Sequence, residues 1–574
     1  MHDDPGALPS TPINSAARGT DSLLRKVRHA GDTLDLLRFV YALLLAIAFG
    51  ADGAESVGSP ACASCHAAIY RSFMRTQMAQ SSGRVGTQEP KEQFERAEFR
   101  DASAAFAYTV GRDASGYYFN FRQQITSQRP VTSGPIEGRR PLDYFVGSGN
   151  AARSYIINVD GFLYEAPVAY FRSLASWRSA PGIAQLDYPY LTRPILPGCL
   201  QCHASGIRRI AGTQNAYASP PFSEGGVACE RCHGPGSDHI AAGRPMVNPA
   251  KLAPAARDSV CEQCHLSGEI RVPKVGKDEP VLNPGDRLAD SVTTFVRSGS
   301  EAQLRVTSHV ENLAQSVCKR MSGEKLWCGT CHDPHSVPSA TEKVAYFRGK
   351  CLTCHQTSSC SASQASRQAN GDNCMTCHMP RNPTSDIEHV VFTDHAIPRR
   401  PIASSSPSST ADLVPFGGGR TSVRDLGLAY VMVGLREGNP TYLDRAFRLL
   451  QDAVAQGVRD PQTLLYLAQL YRDRSDDARA RPLYEEVWRM DGEQYAAGAA
   501  LGAYQMQAGN LEEAVRLWKQ TLAISPSLLL VRTNLATALL RTGRPDQAQE
   551  TLRKALEFNP TFQPATDLLN QILK

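Results

Sequence analysis

The first long apolar run of the chain covers residues 39–49 and follows a segment that contains Arg25, Lys26, Arg28 and Arg38. Small residues follow the run, among them Ala51 and Ala54. A charged segment, a short apolar stretch and small residues, in that order, are typical of a secretory signal. The run is shorter than the ~20 residues that a membrane-spanning helix needs. We therefore predict a signal peptide in residues 1–54. An uncleaved N-terminal anchor, and with it membrane association, is the alternative.

Between residues 106 and 164, apolar side chains alternate with small or polar ones, which is the period of a half-buried β-strand. Turn residues interrupt the alternation at residues 113–116 and again at Asp160 and Gly161. Alternating runs on both sides of such turns predict two β-hairpins. We expect a small β-rich insert that covers the neighbouring part of the chain. A substrate-binding role is the alternative, although no catalytic set of residues stands out.

From residue 420 to the end, apolar positions follow the helical period, and a small residue recurs every 34 positions, at Ala446, Ala480, Ala514 and Ala548. A 34-residue period with a small residue where two helices cross resembles the tetratricopeptide repeat. The pattern predicts an α-helical solenoid that ends in a capping helix at residues 562–573. Repeats stabilise one another by mutual burial whether or not they bind a ligand. Two roles are therefore alternatives for this region: a purely structural arm, and a groove that binds a peptide or protein.

Residues 398–419 contain four prolines, a run of serines and three consecutive glycines. This composition is typical of a flexible linker. We therefore expect residues 420–574 to fold independently of the preceding part.

The pentapeptide Cys-x-x-Cys-His occurs seven times between residues 62 and 378. It is the attachment signature of c-type haem, in which two thiols form thioethers and the histidine binds the iron from the proximal side. The predicted attachment cysteines are Cys62, Cys65, Cys199, Cys202, Cys229, Cys232, Cys261, Cys264, Cys328, Cys331, Cys351, Cys354, Cys374 and Cys377. The predicted proximal ligands are His66, His203, His233, His265, His332, His355 and His378. We number the motifs one to seven in chain order.

Zinc knuckles and thioredoxin-like centres also use C-x-x-C, but neither requires a histidine after every copy. Seven copies out of seven carry it, so we predict seven haems c as cofactors. Motifs two to seven share the 180 residues from 199 to 378, about 30 for each haem, which is too few for an ordinary apolar core. We expect the haem faces to form that core.

Two of the 16 cysteines, Cys318 and Cys360, lie outside the motifs. Haem c is assembled outside the cytoplasm, where disulfides persist, so we favour a bridge between them, with two unlinked buried thiols as the alternative. The formal charge of +5 falls by roughly 7 when seven haems add their propionates, which leaves the holoprotein near neutrality. No basic stripe with interleaved aromatic residues is present, so nucleic acid is not an expected partner.

Each haem iron has a second axial position, and imidazole fills it in most low-potential electron carriers. Histidines outside the motifs and the N-terminal segment are His239, His309, His335, His389 and His395, which are five candidate distal ligands for seven irons. Met78 is our candidate for a sixth, with packing as the alternative role. The last iron has no assigned ligand. It uses Met246, takes a residue of a second subunit, or stays five-coordinate.

The chain resembles the multihaem cytochrome c superfamily over residues 60–397. The resemblance rests on segments 232–239, 331–335, 377–381 and 392–395. That group includes the tetrahaem electron acceptor of hydroxylamine oxidoreductase, paired-CxxCH cytochromes, hydroxylamine oxidoreductase itself and cytochrome c nitrite reductase. It implies that the five histidines above are distal ligands. No motif ends in Lys, as the active-site motif of the nitrite reductase does, which favours a carrier over an enzyme.

The predicted fold class is mainly α: a haem-packed cytochrome core with a small β-rich insert, followed by a tetratricopeptide-repeat solenoid. The predicted domains are residues 1–54, 55–198 with the first haem site and the insert, 199–397 with six haems, 398–419 and 420–574. We expect a periplasmic heptahaem electron carrier whose repeats dock other redox proteins. The alternatives are an oxidoreductase acting on a small nitrogen or sulfur compound at a five-coordinate haem, and a scaffold of a respiratory complex.

Overall fold

The computed structural model describes residues 54–88, 90–95, 97–101, 106–123, 136–182, 193–277, 282–299, 304–399 and 411–573. The predicted signal or anchor lies outside this set except for Ala54. None of the helices in these ranges is long and apolar enough to cross a membrane. The described part of the chain divides into a small unit, residues 54–56 with 235–244, and a large unit formed by the rest. In the small unit the Glu55 amide donates to Ser237 Oγ at 2.7 Å.

The insert after the first motif consists of two antiparallel sheets. One has the order β1 (Ser82–Arg84), β6 (Tyr144–Val146), β7 (Ala152–Val159), β8 (Phe162–Phe171) and β9 (Ser176–Ser179). The other has the order β2 (Ala97–Asp101), β3 (Phe106–Asp113), β4 (Gly116–Gln123) and β5 (Glu137–Pro141). Both predicted hairpins are confirmed, with Asp113 opposite Gly116 and Val159 opposite Phe162.

The inward positions of these strands are aromatic, which is why two sheets can form one core. The buried cluster between them contains Phe94, Phe99, Phe106, Tyr108, Phe119, Phe145, Tyr155 and Trp177. A shorter hairpin, β10 (Ala204–Arg209) and β11 (Tyr217–Gly225), follows motif two.

The motif-bearing region consists of short helices separated by loops. Its helices are α1 (Ser59–Cys62), α2 (Ala67–Phe73), α3 (Pro197–Gln201), α4 (Glu230–His233), α5 (Ser237–Ala242), α6 (Pro254–His265), α7 (His309–Gln315), α8 (Val317–Ser322), α9 (Cys328–Cys331), α10 (Lys343–Leu352), α11 (Gln364–Ala369) and α12 (Cys374–His378). Its strands are β12 (Ile270–Pro273), β13 (Val292–Arg297), β14 (Arg381–Pro383) and β15 (Val391–Thr393). Among the described residues 304–399, Val390 is the only buried apolar residue. The polypeptide itself supplies almost no core there, which is what the predicted haem-packed core requires; that core stays a prediction.

The C-terminal region is a row of antiparallel helix pairs. They are α13 (Val423–Glu437) with α14 (Pro440–Ala455), α15 (Pro461–Asp473) with α16 (Asp477–Met490), α17 (Tyr495–Gln507) with α18 (Leu511–Ile524), and α19 (Leu529–Arg541) with α20 (Pro545–Phe558), followed by α21 (Gln563–Ile572). The four alanines of the 34-residue period are fully buried in the second helix of each pair. The capping helix is confirmed as α21.

The end of the predicted linker contains a strand. Strand β16 (Leu413–Pro415) pairs antiparallel with β13, which pairs with β12. Leu413, Val272 and Phe295 lie in one buried cluster with side chains of α13 to α18. Residues 400–410 of the predicted linker lie outside the described residues.

The far end of the repeats also packs on the rest of the chain. Phe558 belongs to the aromatic cluster of the insert and lies 5.5 Å from the Tyr164 ring. Lys554 pairs with Asp160 at 2.8 Å. A terminal repeat has an apolar face that no further repeat covers. Here β12, β13 and β16 cover one end and the insert contacts the other. The two parts therefore share buried clusters, and independent folding of the repeat domain stays a prediction.

Candidate functional site

Each C-x-x-C-H motif forms a turn or a short helix, which brings its two cysteines and its histidine close together. In four motifs the histidine amide donates to the carbonyl of the first cysteine at 2.9 to 3.1 Å, at His66, His233, His332 and His355. Motif four ends α6 and motif seven forms α12. A helical turn of this kind presents both thiols and an imidazole to one ligand.

Motifs one and three lie side by side. The Cys229 amide donates to Ser59 Oγ at 3.0 Å. The Glu230 carboxylate accepts from the Val57 and Gly58 amides at 2.8 and 2.9 Å. The thiols of Cys62 and Cys229 are close enough to influence each other, and burial followed by Cys229 raises the pKa of Cys62 to about 11. Two haems attached here would therefore be neighbours.

Arg231, within motif three, joins motifs two and four. Its guanidinium donates to the Gln201 carbonyl at 3.0 Å and to Gln263 Oε1 at 2.8 Å. Cys202 of motif two contacts the Gln263 carbonyl at 3.9 Å and hydrogen-bonds Cys264 through its thiol. Motif four is thus adjacent to both motif two and motif three. Sequence reasoning did not single out Arg231 and Gln263, although long polar side chains inside a C-x-x-C spacing are a signal that could have been used.

The remaining motifs continue the series. Arg257 of α6 donates to the Glu324 carbonyl at 2.9 Å and lies 4.8 Å from the Trp327 ring, just before motif five. The His332 and Phe347 rings, on motif five and on α10 before motif six, are 5.5 Å apart. Arg348 pairs with Asp372 at 2.8 Å, which links motif six to motif seven. Motifs one, three, four, five, six and seven therefore form a continuous row, with motif two beside motifs three and four.

Three predicted distal histidines face proximal ones. His335 lies 5.8 Å from His233 with ring planes 13° apart, and His395 lies 6.2 Å from His332. His309 lies 5.0 Å from His265 at 88°. A metal–nitrogen bond of about 2 Å on each side of one iron would place two imidazole centroids roughly 6 Å apart. The His233–His335 and His332–His395 distances fit a haem iron between the rings, whereas the His265–His309 distance is shorter, and His309 also lies 4.9 Å from His395. His335 faces motif three and not its own motif.

Hydrogen bonds at Nδ1 orient several of these rings. Nδ1 contacts a backbone carbonyl oxygen in four residues, at distances of 2.7 to 3.0 Å: His233 with Val247, His239 with Arg244, His378 with Pro398 and His395 with Thr393. An imidazole that donates from Nδ1 keeps the Nε2 lone pair for a metal. The donor set therefore fits the predicted haem.

Burial keeps the central imidazoles neutral, which is the form that binds a metal. Desolvation, followed by neighbouring histidines, lowers the pKa of His265 to about 4 and that of His309 to about 3. Desolvation also lowers the pKa values of His203, His332 and His395.

Three further predicted ligands do not belong to these ring pairs. His239 lies on α5 in the small unit. The His389 ring contacts Phe171 of the insert at 5.4 Å. Met78 is half-buried, and its carbonyl accepts from the Val227 amide at 3.0 Å. Just after it, Ser81 and Ser82 donate to the His203 carbonyl, so this segment lies against motif two. Their ligand roles stay predictions.

The predicted disulfide is not formed in the structure. Cys318 is half-buried and Cys360 is exposed, and both are free. Cys318 acts electrostatically on Cys331 and Cys351, so it lies near motifs five and six.

Comparison with known proteins agrees with this architecture. The sequence profile of the cytochrome c554 and c-prime family matches residues 175–234, and that of the tetratricopeptide repeat matches residues 505–572. The curated protein "Multiheme cytochrome MtrA" of Shewanella baltica (strain OS185) is 27% identical over 152 residues. Together these matches support a multihaem cytochrome with tetratricopeptide repeats. The alignment covers 24% of this chain and 45% of the relative, so the chain spans less than half of that protein's length.

Solved structures also match about a quarter of the cytochrome. The "Crystal structure of MamA protein" is 18% identical, covering 24% of this chain and 72% of that chain with a TM-score of 0.21. "YrrB: a TPR protein with an unusual peptide-binding site" is 16% identical, covering 26% and 74%, with a TM-score of 0.23.

Proposed function

We propose that this cytochrome carries electrons along seven covalently bound haems. The observation that carries the proposal is the continuous row of motifs, each held against the next by the contacts described above. A bound haem supplies one-electron ferric–ferrous chemistry. The chain's own residues fix the distance between neighbouring attachment points and orient the axial imidazoles.

The contacts of motif four suggest how electrons would be distributed. Motif four is adjacent to motifs two, three and five through Cys202, Arg231 and Arg257. An electron entering at motif one would pass motif three to motif four, and then either continue to motif seven or move to motif two. Motifs one, two and seven would then be the three exchange points with partners.

We propose an extracytoplasmic, periplasmic location, because covalent haem attachment occurs outside the cytoplasm and residues 1–54 have the pattern of a signal. We also propose that the repeats dock another redox protein or a peptide, since stacked repeats present an extended surface for binding. Fractionation of cells that express the full chain should place the haem-bearing protein in the periplasm. Haem-free protein in the cytoplasm alone would contradict the location.

The haem number is tested on the exported full chain. Its intact mass, compared with that of the cleaved polypeptide, should show seven haem increments, and a reductive titration should take up seven electrons per chain. Six or fewer increments in fully matured protein would contradict the proposal.

The oxidoreductase alternative is supported by the ligand count, because five histidines and Met78 provide six distal candidates for seven irons. A five-coordinate ferrous haem binds carbon monoxide, whereas two tightly bound axial ligands exclude it. A carbon monoxide difference spectrum that accounts for one haem in seven would favour an enzymatic site. A spectrum without change would favour the carrier.

A further inference from the structure

His335 reaches the haem site of motif three from a turn that follows motif five. Residues 331–335 are Cys-His-Asp-Pro-His, so His335 follows the proximal His332 by three positions. The His335 ring lies 5.8 Å from that of His233 with ring planes 13° apart, while the His332 ring faces His395 at 6.2 Å. Two imidazoles only three positions apart are therefore assigned to different irons. The residues between them must hold the two rings in different directions.

Asp333, between these two histidines, organises the turn. Its Oδ1 accepts from the His335 amide at 2.9 Å, and its Oδ2 accepts from the Ser336 hydroxyl at 2.7 Å. An aspartate that accepts from the amide two positions later forms an Asx-turn. The same Oδ1 lies 3.5 Å from His335 Nδ1. The carboxylate therefore holds both the backbone and the ring of His335, and its place at Nδ1 leaves Nε2 for the iron.

The two rings of this pair have different partners at Nδ1. His233 Nδ1 contacts the neutral Val247 carbonyl oxygen at 2.7 Å, whereas His335 Nδ1 faces a carboxylate. Among the described residues, no lysine or arginine forms an ion pair with Asp333. A carboxylate at the second ring nitrogen makes a metal-bound histidine more basic. Because a more basic ligand stabilises ferric iron relative to ferrous iron, Asp333 should lower the potential of this haem.

A third contact restricts the same ring. Phe73 is buried at the end of α2, after motif one, and its ring lies edge-on to His335 at 6.5 Å. Side chains that belong to or follow motifs one, three and five thus meet at this imidazole. The ring has defined neighbours besides the iron that we assign to it.

We propose that Asp333 is a positioning residue that orients the distal imidazole of the motif-three haem and lowers the midpoint potential of that haem. The inference rests on the haem and ligand assignment proposed above. In the row of motifs, motif three stands between motif one and the junction at motif four. A haem of lowered potential at this place passes electrons on without retaining them. Asp333 would then keep the motif-three haem oxidised between transfers.

The experiment measures the midpoint potentials of the full holoprotein by potentiometric titration and compares Asp333→Asn with Asp113→Asn. Asparagine keeps an oxygen that can accept from the His335 amide, but it removes the charge beside Nδ1. Asp113 is a matched control in the insert, because its Oδ1 accepts from the Ser115 amide at 2.8 Å and its side chain is 43% exposed against 47% for Asp333. Asp333→Asn should raise one midpoint potential at full haem content. Asp113→Asn should raise none.

A double variant tests whether the charge acts through the imidazole. His335→Ala removes the proposed distal ligand and should open one ferrous iron to carbon monoxide. Adding Asp333→Asn to His335→Ala should leave the potentials of that single variant unchanged, because the imidazole that transmits the effect is gone.

Unchanged midpoint potentials in Asp333→Asn with full haem content would overturn the proposal. A shift that persists without the His335 imidazole, or an equal shift in Asp113→Asn, would overturn it as well, because the charge would then act without the ring. If Asp333→Asn fails to mature, Asp333→Glu replaces it, since glutamate moves the carboxylate by one methylene relative to Nδ1, and potentials equal to those of the wild type would count against the proposal. A His335→Ala variant that binds no carbon monoxide would instead contradict the distal-ligand assignment, which belongs to the proposed function.

Discussion

At the scale of single residues, the motif cysteines and histidines share one local backbone turn. The residues that contact each motif from other parts of the chain differ from motif to motif. The turn follows from five consecutive positions, which is why the attachment residues could be named from sequence. The hydrogen bonds of Arg231, Gln263 and Glu311 join residues that are 30 to 44 positions apart in sequence. No local sequence pattern predicts such contacts.

Cys264→Ala should lower the haem content from seven to six. The substitution removes one of the two thioether positions of motif four, and the lost attachment also removes part of what fills that region. Intact mass and the haem absorbance per chain measure the loss. The control is Cys318→Ala, which lies outside the motifs and should keep all haems. Equal haem content in both variants would contradict the assignment of Cys264.

Met78→His should lower the midpoint potential of one haem, because a thioether stabilises ferrous iron relative to imidazole. A potentiometric titration followed by absorbance measures the change, and any methionine–iron charge-transfer band in the ferric spectrum should disappear. Met321, whose side chain is 81% exposed, supplies the matched control Met321→His, for which no shift is expected. If the midpoint potentials of both variants equal those of the wild type, Met78 is a packing residue and not an iron ligand.

At the scale of elements, the 34-residue period of the sequence predicts the repeat helices. It does not predict the contacts that the ends of these helices make. Asp460 is an example. It caps α15 by accepting from the Thr463 amide at 3.2 Å and also pairs with Arg424 at 2.9 Å, where the two side chains are 11% and 4% exposed. The cap is a sequence signal, whereas the ion pair joins two helix pairs.

Asp460→Asn should destabilise the repeats by about 3 kcal/mol, because it leaves the buried Arg424 without this partner while keeping the capping oxygen. Desolvation opposes ionisation of Asp460, but hydrogen bonds from Arg424 and Thr463 outweigh it and lower the pKa of this carboxyl. A lowered folded pKa gives stability that is present at neutral pH and is lost as the pH falls through that pKa. Thermal unfolding followed at 222 nm should therefore separate variant and wild type at pH 7 and not at strongly acidic pH. Asp452→Asn, at an exposed position of α14, should unfold with the wild type at both pH values.

At the scale of the whole molecule, the repeats and the motif-bearing region are not independent. Phe295, Val272 and Leu413 are buried together with the first helix pair, and Phe558 is buried in the insert. This arrangement means that removing the repeats exposes apolar surface at two places.

A chain that ends at residue 399 should therefore be poorly soluble or poor in haem, because Val272, Phe295 and the insert cluster lose their cover. Yield of soluble protein and haem per chain measure the effect. A chain that ends at residue 560 removes only α21 and should retain its haems. A soluble fragment 60–399 with full haem content would show that the shared clusters contribute little.

The sequence alone determined the elements whose information is local or periodic. Both hairpins of the insert, the 34-residue helical repeat and the capping helix follow from alternation and spacing, since these patterns come from the geometry of strands and helices themselves. The family of the chain also follows from its motifs and repeats. The predicted attachment cysteines and proximal histidines follow from sequence in the same way, because the c-type haem signature is a contiguous pentapeptide.

Only the tertiary structure decided which motif lies beside which, which distal histidine faces which proximal one, and how the repeats meet the rest. His335 faces His233 across about 100 positions, and Arg436 reaches Glu269 across 167. Composition suggested a flexible linker at residues 398–419. In the structure, Leu413 pairs with strand β13 and packs on the first repeat, because the outer apolar face of a terminal repeat is otherwise uncovered. Contacts between distant segments depend on the packing of the whole chain, so no short stretch of sequence contains them.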